Sequence, residues 1–338
     1  MIDTRQDTGT ASTPQKYLTE ELDWATPLPL ELVHRSADTE VFLTSVSQIG
    51  QDVFSLGARW PSRHRFFHLD EWGLHDPMAV AEILRQSGIA VAHAGYAVDF
   101  GTQFIMVDFS FIVRDRERLN AAAAGRDLVV RLTASDVEHK HGSFRRANLH
   151  MEVSARGRAV FAEGQARLLC LPPALYRHLR GRHPMSSPAC PAPHAGAGRL
   201  PAALVGRTGQ ADVLLRDAGG ATAGSPAGVW TVEADPMHGG QFDHPLDHLP
   251  GMVQLEAFRQ AALALTAEAG RADPGRFLGC AACFRHIVDL GAEIRCTATA
   301  SERASIQVAL FNGKDPEPAT TGVVRLSSLS GGVTMARP

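Results

Sequence analysis

A carboxylate, a guanidinium three residues later and a carboxamide directly after it occur twice in this chain. They stand as Glu82-Ile83-Leu84-Arg85-Gln86 and as Glu256-Ala257-Phe258-Arg259-Gln260. Residues three apart share one face of a helix, and on an exposed helix such a Glu–Arg pair is worth little. The neighbours argue against an exposed helix. Val80, Ile83, Leu84 and Ile89 flank the first pair, and Val253, Leu255, Phe258 and Leu263 flank the second. Both helices are therefore apolar on most sides, and both pairs are expected to be partly buried. A buried charge is costly without a partner and often marks a functional site. A duplicated structural bridge would have the same pattern, so the residues alone leave both readings open.

Just ahead of the second pair lies Gln241-Phe242-Asp243-His244-Pro245-Leu246-Asp247-His248-Leu249-Pro250-Gly251. Asp243 or Asp247 could orient His244 or His248 as a general base. Pro250 and Gly251 at the helix entrance would leave free backbone N–H groups able to polarise a carbonyl or hold an anion. Taken singly, these residues are more often helix caps and turn formers; as a segment they favour function. The matching stretch of the first half, Trp60-Pro61-Ser62-Arg63-His64-Arg65-Phe66-Phe67-His68 and then His75-Asp76-Pro77, is more basic and aromatic. Arg63, His64 and Arg65 could hold a phosphate, with His75 a further substrate-binding candidate, although a solvated basic loop fits at least equally well. No Gly-x-Ser-x-Gly elbow occurs and no cysteine sits in a nucleophile's context. Cys280-Ala281-Ala282-Cys283 is a lone C-x-x-C without a second pair, read as packing thiols. No metal and no cofactor is expected.

The elements around the two motifs repeat as well. Glu82 and Glu256 stand 174 positions apart (82 to 256), as do Arg85 and Arg259 (85 to 259). Strand-like runs at 41–46 and 53–60 precede the first helix, and runs at 213–215 and 229–232 precede the second. Long strand-like runs follow each helix, at 104–113, 128–137 and 148–171, then at 277–290, 292–300 and 306–329. A single apolar helix among several antiparallel strands implies an α+β fold in which the sheet wraps around the helix. No glycine-rich phosphate loop follows a strand, which argues against nucleotide-binding α/β folds. The expected organisation is a loose tail over residues 1–27, a first domain over 28–176, a Pro/His/Gly-rich linker over 177–200 and a second domain over 201–338.

At 338 residues the chain suits two domains of ordinary size. A net charge of −3 gives no polyanion-binding signal, so nucleic acid is not expected as a partner. Residues 1–16 are polar and lack an apolar core of signal-peptide length, and no stretch approaches the ~18 consecutive apolar residues of a spanning helix. Five cysteines, an odd number, complete the expectation of a reduced cytoplasmic protein without membrane contact.

Longer motifs now bear on the family. Phe242 to Val253 followed by Glu256-Ala257-x-Arg259-Gln260 resembles the second-repeat signature of the A-factor biosynthesis (AfsA) family. Arg59-Trp60-Pro61, His64, Phe66-Phe67, His75-Asp76-Pro77 and Ala81-Glu82-x-x-Arg85-Gln86 resemble its first, and Leu32-Val33-His34 fits near the start. The resemblance implies two tandem hotdog domains paired as a pseudo-dimer, with further homo-oligomerisation left open. It also implies an acyltransferase that moves a 3-oxoacyl chain from an acyl-carrier-protein thioester to the hydroxyl of dihydroxyacetone phosphate. The ester would lead by aldol closure to a γ-butyrolactone, furan or butenolide signal. In that family the first-repeat Glu and the second-repeat Glu and Arg are regarded as functional, which points to Glu82, Glu256 and Arg259, with Arg85 as counterpart.

The chemistry then expected assigns Glu256 as the base, its pKa raised by an apolar surrounding. Arg259 would hold the phosphate or steady Glu256. His244, His248 or N–H groups near Gly251 would polarise the thioester carbonyl, with Asp243 and Asp247 beside them. Replacing Glu256 with Gln is expected to abolish ester formation and leave the fold intact. Two rivals are a hotdog dehydratase or thioesterase and a non-catalytic acyl-binding protein. The motif is similar to a dehydratase helix entrance, but Phe242 stands where that enzyme's catalytic His belongs, and His244 lies two residues closer to Glu256.

Overall fold

The structure, a computed structural model, describes residues 14–61, 64–181, 198–218, 225–268, 276–301 and 305–327. Arg63 and most of the 177–200 segment fall outside them.

In the first half, β1 (Leu43–Gly50) and β2 (Val53–Arg59) precede helix α1 (Pro77–Ala94). β3 (Gln103–Val113), β4 (Asp127–Lys140), β5 (Ser143–Ala155), β6 (Val160–Leu171) and helix α2 (Pro173–Gly181) follow. The second half has β7 (Leu215–Asp217), β8 (Ala227–Val232), helix α3 (Gly251–Glu268), β9 (Arg276–Phe284), β10 (Ile294–Ala300), β11 (Ser305–Asn312) and β12 (Thr320–Ser327). Among the described residues, twelve strands join one sheet in the order β1-β2-β4-β5-β6-β3-β9-β12-β11-β10-β8-β7. Counted from its outer edge, each half has the same order, with β1 matching β7 and β3 matching β9. Each half is thus an antiparallel sheet around one long helix: two hotdog domains side by side.

The halves meet where β3 pairs antiparallel with β9, from Asp108 opposite Cys283 to Ile112 opposite Gly279. A Cβ on Gly279 would lie 2.1 Å from the Phe111 carbonyl oxygen, so this close pairing requires glycine. Helix α1 starts where Asp76 accepts from the Met78 N–H at 2.9 Å and Pro77 supplies a preset φ. It then runs almost wholly buried, as an all-round apolar helix must. Leu84 nests on β6 at Gly164, where a Cβ would lie 2.5 Å from Leu84 Cδ1. Phe258 and Leu255 of α3 are fully buried in the second half, as is Trp230. Among the described residues no helix is long and apolar enough to cross a membrane.

Two boundary expectations need correction. Residues 14–27 are not a loose tail: Leu18 bridges to Val46, Thr19 donates to the Val46 carbonyl and Trp24 Nε1 donates to the Leu128 carbonyl at 2.9 Å. The cause is β1, an edge strand whose open backbone groups this segment partly covers. Residues 177–181 are not linker but the end of α2. Its buried Arg180 donates to Asp247 at 2.9 Å and to Asp289 at 3.0 Å, fastening the helix to the second half. Polar composition suggested mobility in both places, whereas specific bonds anchor them.

Candidate active site

Each Glu-x-x-Arg-Gln motif folds into a cluster with a partner that the motif does not contain. Glu82 is buried, and Arg85 clamps it through Nε to Oε2 and Nη2 to Oε1, both at 2.9 Å. Gln86 Nε2 donates to Oε1 at 2.7 Å, and a second guanidinium, that of Arg35, reaches Oε1 at 2.7 Å. The second cluster repeats the first. Arg259 donates to Glu256 at 2.9 and 3.1 Å, Gln260 at 2.7 Å, and Arg207 Nε at 2.8 Å.

Arg35 and Arg207 are the residues that sequence reasoning missed. Each follows a one-turn helix that ends in a left-handed residue, His34 (φ 51°) after Leu30–Val33 and Gly206 (φ 65°) after Ala202–Val205. That sharp turn aims the next side chain back at the carboxylate. The signal was present as Leu32-Val33-His34-Arg35 and Leu204-Val205-Gly206-Arg207.

The carboxylates cannot be the raised-pKa base expected of Glu256. Burial alone would push each carboxyl up, but two guanidiniums outweigh it and hold both Glu82 and Glu256 down at about 2. Ionised and saturated with donors, each organises its arginines.

The two clusters differ in what they face. A cavity of about 370 Å³ lies between the halves and is lined by His34, Arg35, Glu82 and Arg85 from the first. From the second come His244, His248, Gly251 and Glu256, whereas Arg207 and Arg259 do not reach it. Arg207 turns instead to the first half, donating through Nη1 to the Phe66 carbonyl at 2.9 Å and to Asp76 at 3.0 Å. Arg259, expected near a phosphate, is occupied with Glu256 and the Gly206 carbonyl.

The helix entrances differ in the same sense. Asp76 caps α1 with its own carboxylate, but the corresponding residue before α3 is Pro250, whose side chain accepts nothing. The first N–H groups of α3, which have no partner inside the helix, belong to Gly251, Met252 and Val253, all on the cavity wall. They carry the positive end of the helix dipole.

Beside this entrance His248 Nδ1 lies 2.6 Å from Asp247 Oδ1. A carboxylate only accepts, so Nδ1 donates, and in the neutral ring the lone pair then lies on Nε2. The His248 hydrogen bond, with Arg180 in support, holds Asp247 at about 2. Asp243 has a different task. It accepts from the Ser36 backbone N–H at 2.5 Å, linking the halves, and stands 3.3 Å from the half-exposed His244.

On the opposite wall His34 Nε2 is 2.9 Å from His93 Nε2, and His93 Nδ1 is 2.7 Å from the Val98 carbonyl oxygen. The carbonyl accepts, so His93 is protonated on Nδ1 and its Nε2 accepts from His34. Burial, reinforced by His93 and Arg85, keeps His34 neutral, with its pKa lowered to about 3.

Two further candidates lie off the cavity. His64 Nδ1 accepts from the N–H groups of Phe66 and Phe67, both at 3.0 Å, and holds that loop. His75 stacks on Trp60 at 4.2 Å. Arg63 lies outside the described residues. Cys280 and Cys296 are buried, their thiols pushed up by desolvation, and no metal-holding cluster occurs among the described residues.

Fold and site together define a tandem hotdog protein in which one cavity draws on both halves. The chain belongs to the A-factor biosynthesis (AfsA) hotdog family, whose model matches residues 18–172 and 192–312. It is 38% identical over 239 residues to the 2-oxo-3-(phosphooxy)propyl 3-oxoalkanoate synthase of Streptomyces virginiae, covering 70% of this chain and 76% of that one. With the Streptomyces coelicolor protein of the same name it shares 34% identity over 245 residues, 72% of this chain and 74% of that one. An acyl-ACP thioesterase from Bacteroides thetaiotaomicron superimposes with a TM-score of 0.47 at 10% identity, over 82% of this chain and 98% of that one.

Proposed function

We propose that this chain is an acyltransferase that joins a 3-oxoacyl chain, delivered as an acyl-carrier-protein thioester, to the hydroxyl of dihydroxyacetone phosphate. The product is a 2-oxo-3-(phosphooxy)propyl 3-oxoalkanoate, as the relatives' name describes, and the setting is cytoplasmic. The observation that carries this reading is the shared cavity: Arg35 and Arg85 face it from one half, and His248 with the α3 entrance from the other.

Arg35 and Arg85 face the cavity beside Glu82 and Glu40, so the acceptor's phosphate is seated by two guanidinium forks rather than by a net positive wall. His248 Nε2 takes the hydroxyl proton as the oxygen attacks the thioester carbon. The tetrahedral oxyanion is stabilised by the free N–H groups that open α3. Collapse breaks the C–S bond, and the thiolate recovers the proton from His248. Glu82 holds both arginines in place.

The test is mass spectrometry of the full chain incubated with a 3-oxoacyl carrier protein and dihydroxyacetone phosphate. A phosphorylated ester, or the butenolide it closes to, is expected. Free acid would indicate a thioesterase and unchanged thioester a binding protein, and a parallel incubation with the 3-hydroxyacyl thioester would reveal a dehydratase by its enoyl product.

A further inference from the structure

Gly88 lies in the interior of the 18-residue α1, where glycine weakens a helix relative to alanine. Its usual justifications are missing. Its φ is not positive, and a Cβ built there would meet a single neighbour within 4 Å, the flexible Leu149 Cδ1 at 3.0 Å. Gly164 shows the contrast, since there a side chain would strike both Leu84 and the Ser110 carbonyl. At Gly88 no backbone stands in the way, and only the flexible end of Leu149 would have to give. In the second half the position 174 residues on (88 to 262) is Ala262, fully buried in the core.

What Gly88 preserves is empty space. It lines the cavity with Leu84, Ile89, Leu149, Leu168 and Phe109, an apolar stretch of wall. Gly88 lies three residues beyond Arg85, about 4.5 Å along the helix axis and on the same face. A phosphate belongs with Arg85 and gains nothing from this wall, whereas a hydrocarbon chain does.

We propose that Gly88 is a specificity-determining residue: the room left by its missing side chain holds the distal carbons of the acyl chain and sets the longest chain accepted. This rests on the acyl-transfer reading. Methyl and isobutyl groups at this position shorten the available space stepwise, and Leu149, as the facing side chain, governs the same room.

The experiment compares wild type, Gly88→Ala, Gly88→Leu and Gly88→Ala/Leu149→Ala on 3-oxoacyl thioesters of increasing chain length. Ester formation and thermal stabilisation by each thioester are both read. Gly88→Ala gains helix propensity against a 3.0 Å approach to the flexible Leu149 Cδ1, and melting curves check folding of both Gly88→Ala and Gly88→Leu. Expected is a loss of tenfold or more for the longest chains, with the shortest kept within about twofold. The loss should be greater for Leu than for Ala and be partly reversed by Leu149→Ala. An unchanged length profile, or the same loss at every length, would overturn the proposal. Because stabilisation reports binding without turnover, a wild type that binds by length yet makes no ester would refute the acyl-transfer reading and leave the role of Gly88 intact.

Discussion

Arg207 grips Asp76 at 3.0 Å across the boundary between the halves while its Nε stays 2.8 Å from Glu256. The second Glu-x-x-Arg-Gln motif is thereby tied to the cap of the first half's helix, whereas Arg85 of the first motif and its partner Arg35 face the cavity. The two copies have kept one architecture and face different surroundings.

Glu256→Gln should therefore destabilise the fold, whereas the sequence alone led to the expectation that it would stay intact. Among the described residues the substitution takes the only carboxylate from buried Arg259 and leaves Arg207 with Asp76 alone, and breaking a buried pair by removing one partner costs about 3–5 kcal/mol. Arg207→Met should cost a similar amount, since Glu256 and Asp76 both lose a partner. Chemical denaturation of each variant reads the loss; a change below about 1 kcal/mol for both would contradict the tie.

Arg85→Gln should act mainly on the acceptor. Its side chain is 18% exposed, against 7% for Arg259, so the stability loss is smaller. Losing one charge-assisted contact of about 1.5–3 kcal/mol raises KM for dihydroxyacetone phosphate roughly 10- to 100-fold. KM for the acyl thioester should stay near wild type. Steady-state kinetics with each substrate varied in turn separates the two, and an equal rise in both would place the phosphate elsewhere.

Acid should destabilise the chain in two stages. His34 and His75 have folded pKa values lowered to about 3 and about 4, so the unfolded chain binds more protons below about pH 6.5. Their stabilisation is complete above that pH and is lost as pH falls through the folded values. Glu82, Glu256 and Asp247, held at about 2, add a second loss that begins near pH 4.5 and 3.8. His34→Gln should flatten the upper stage in unfolding curves taken from pH 7 to 4. A slope identical to wild type would show that His34 is not buried in its neutral form.

Much of this was legible in the sequence because it is local. The Glu, Arg and Gln of each motif fall on one helix face by spacing alone, and the two-domain pattern follows from the repeat. Arg35 and Arg207 approach their carboxylates from 47 and 49 residues upstream, a distance that no helical period encodes. Missing them reversed the pKa expected for Glu256, since apolar neighbours raise a carboxyl but two guanidiniums lower it further. The contrast between Asp76 and Pro250 was visible, yet its meaning depends on which helix entrance opens on the cavity. That follows from pairing β3 with β9 and has no local signature.

The central claim is that one cavity, with its base on the second half and its phosphate seat on the first, performs the transfer. The most direct measurement is single-turnover ester formation by His248→Gln beside wild type, with saturating dihydroxyacetone phosphate and quantitation by mass spectrometry. Loss of the base should slow the step about 10²- to 10⁴-fold while acceptor affinity stays unchanged. A variant that forms ester at the wild-type rate would contradict the account.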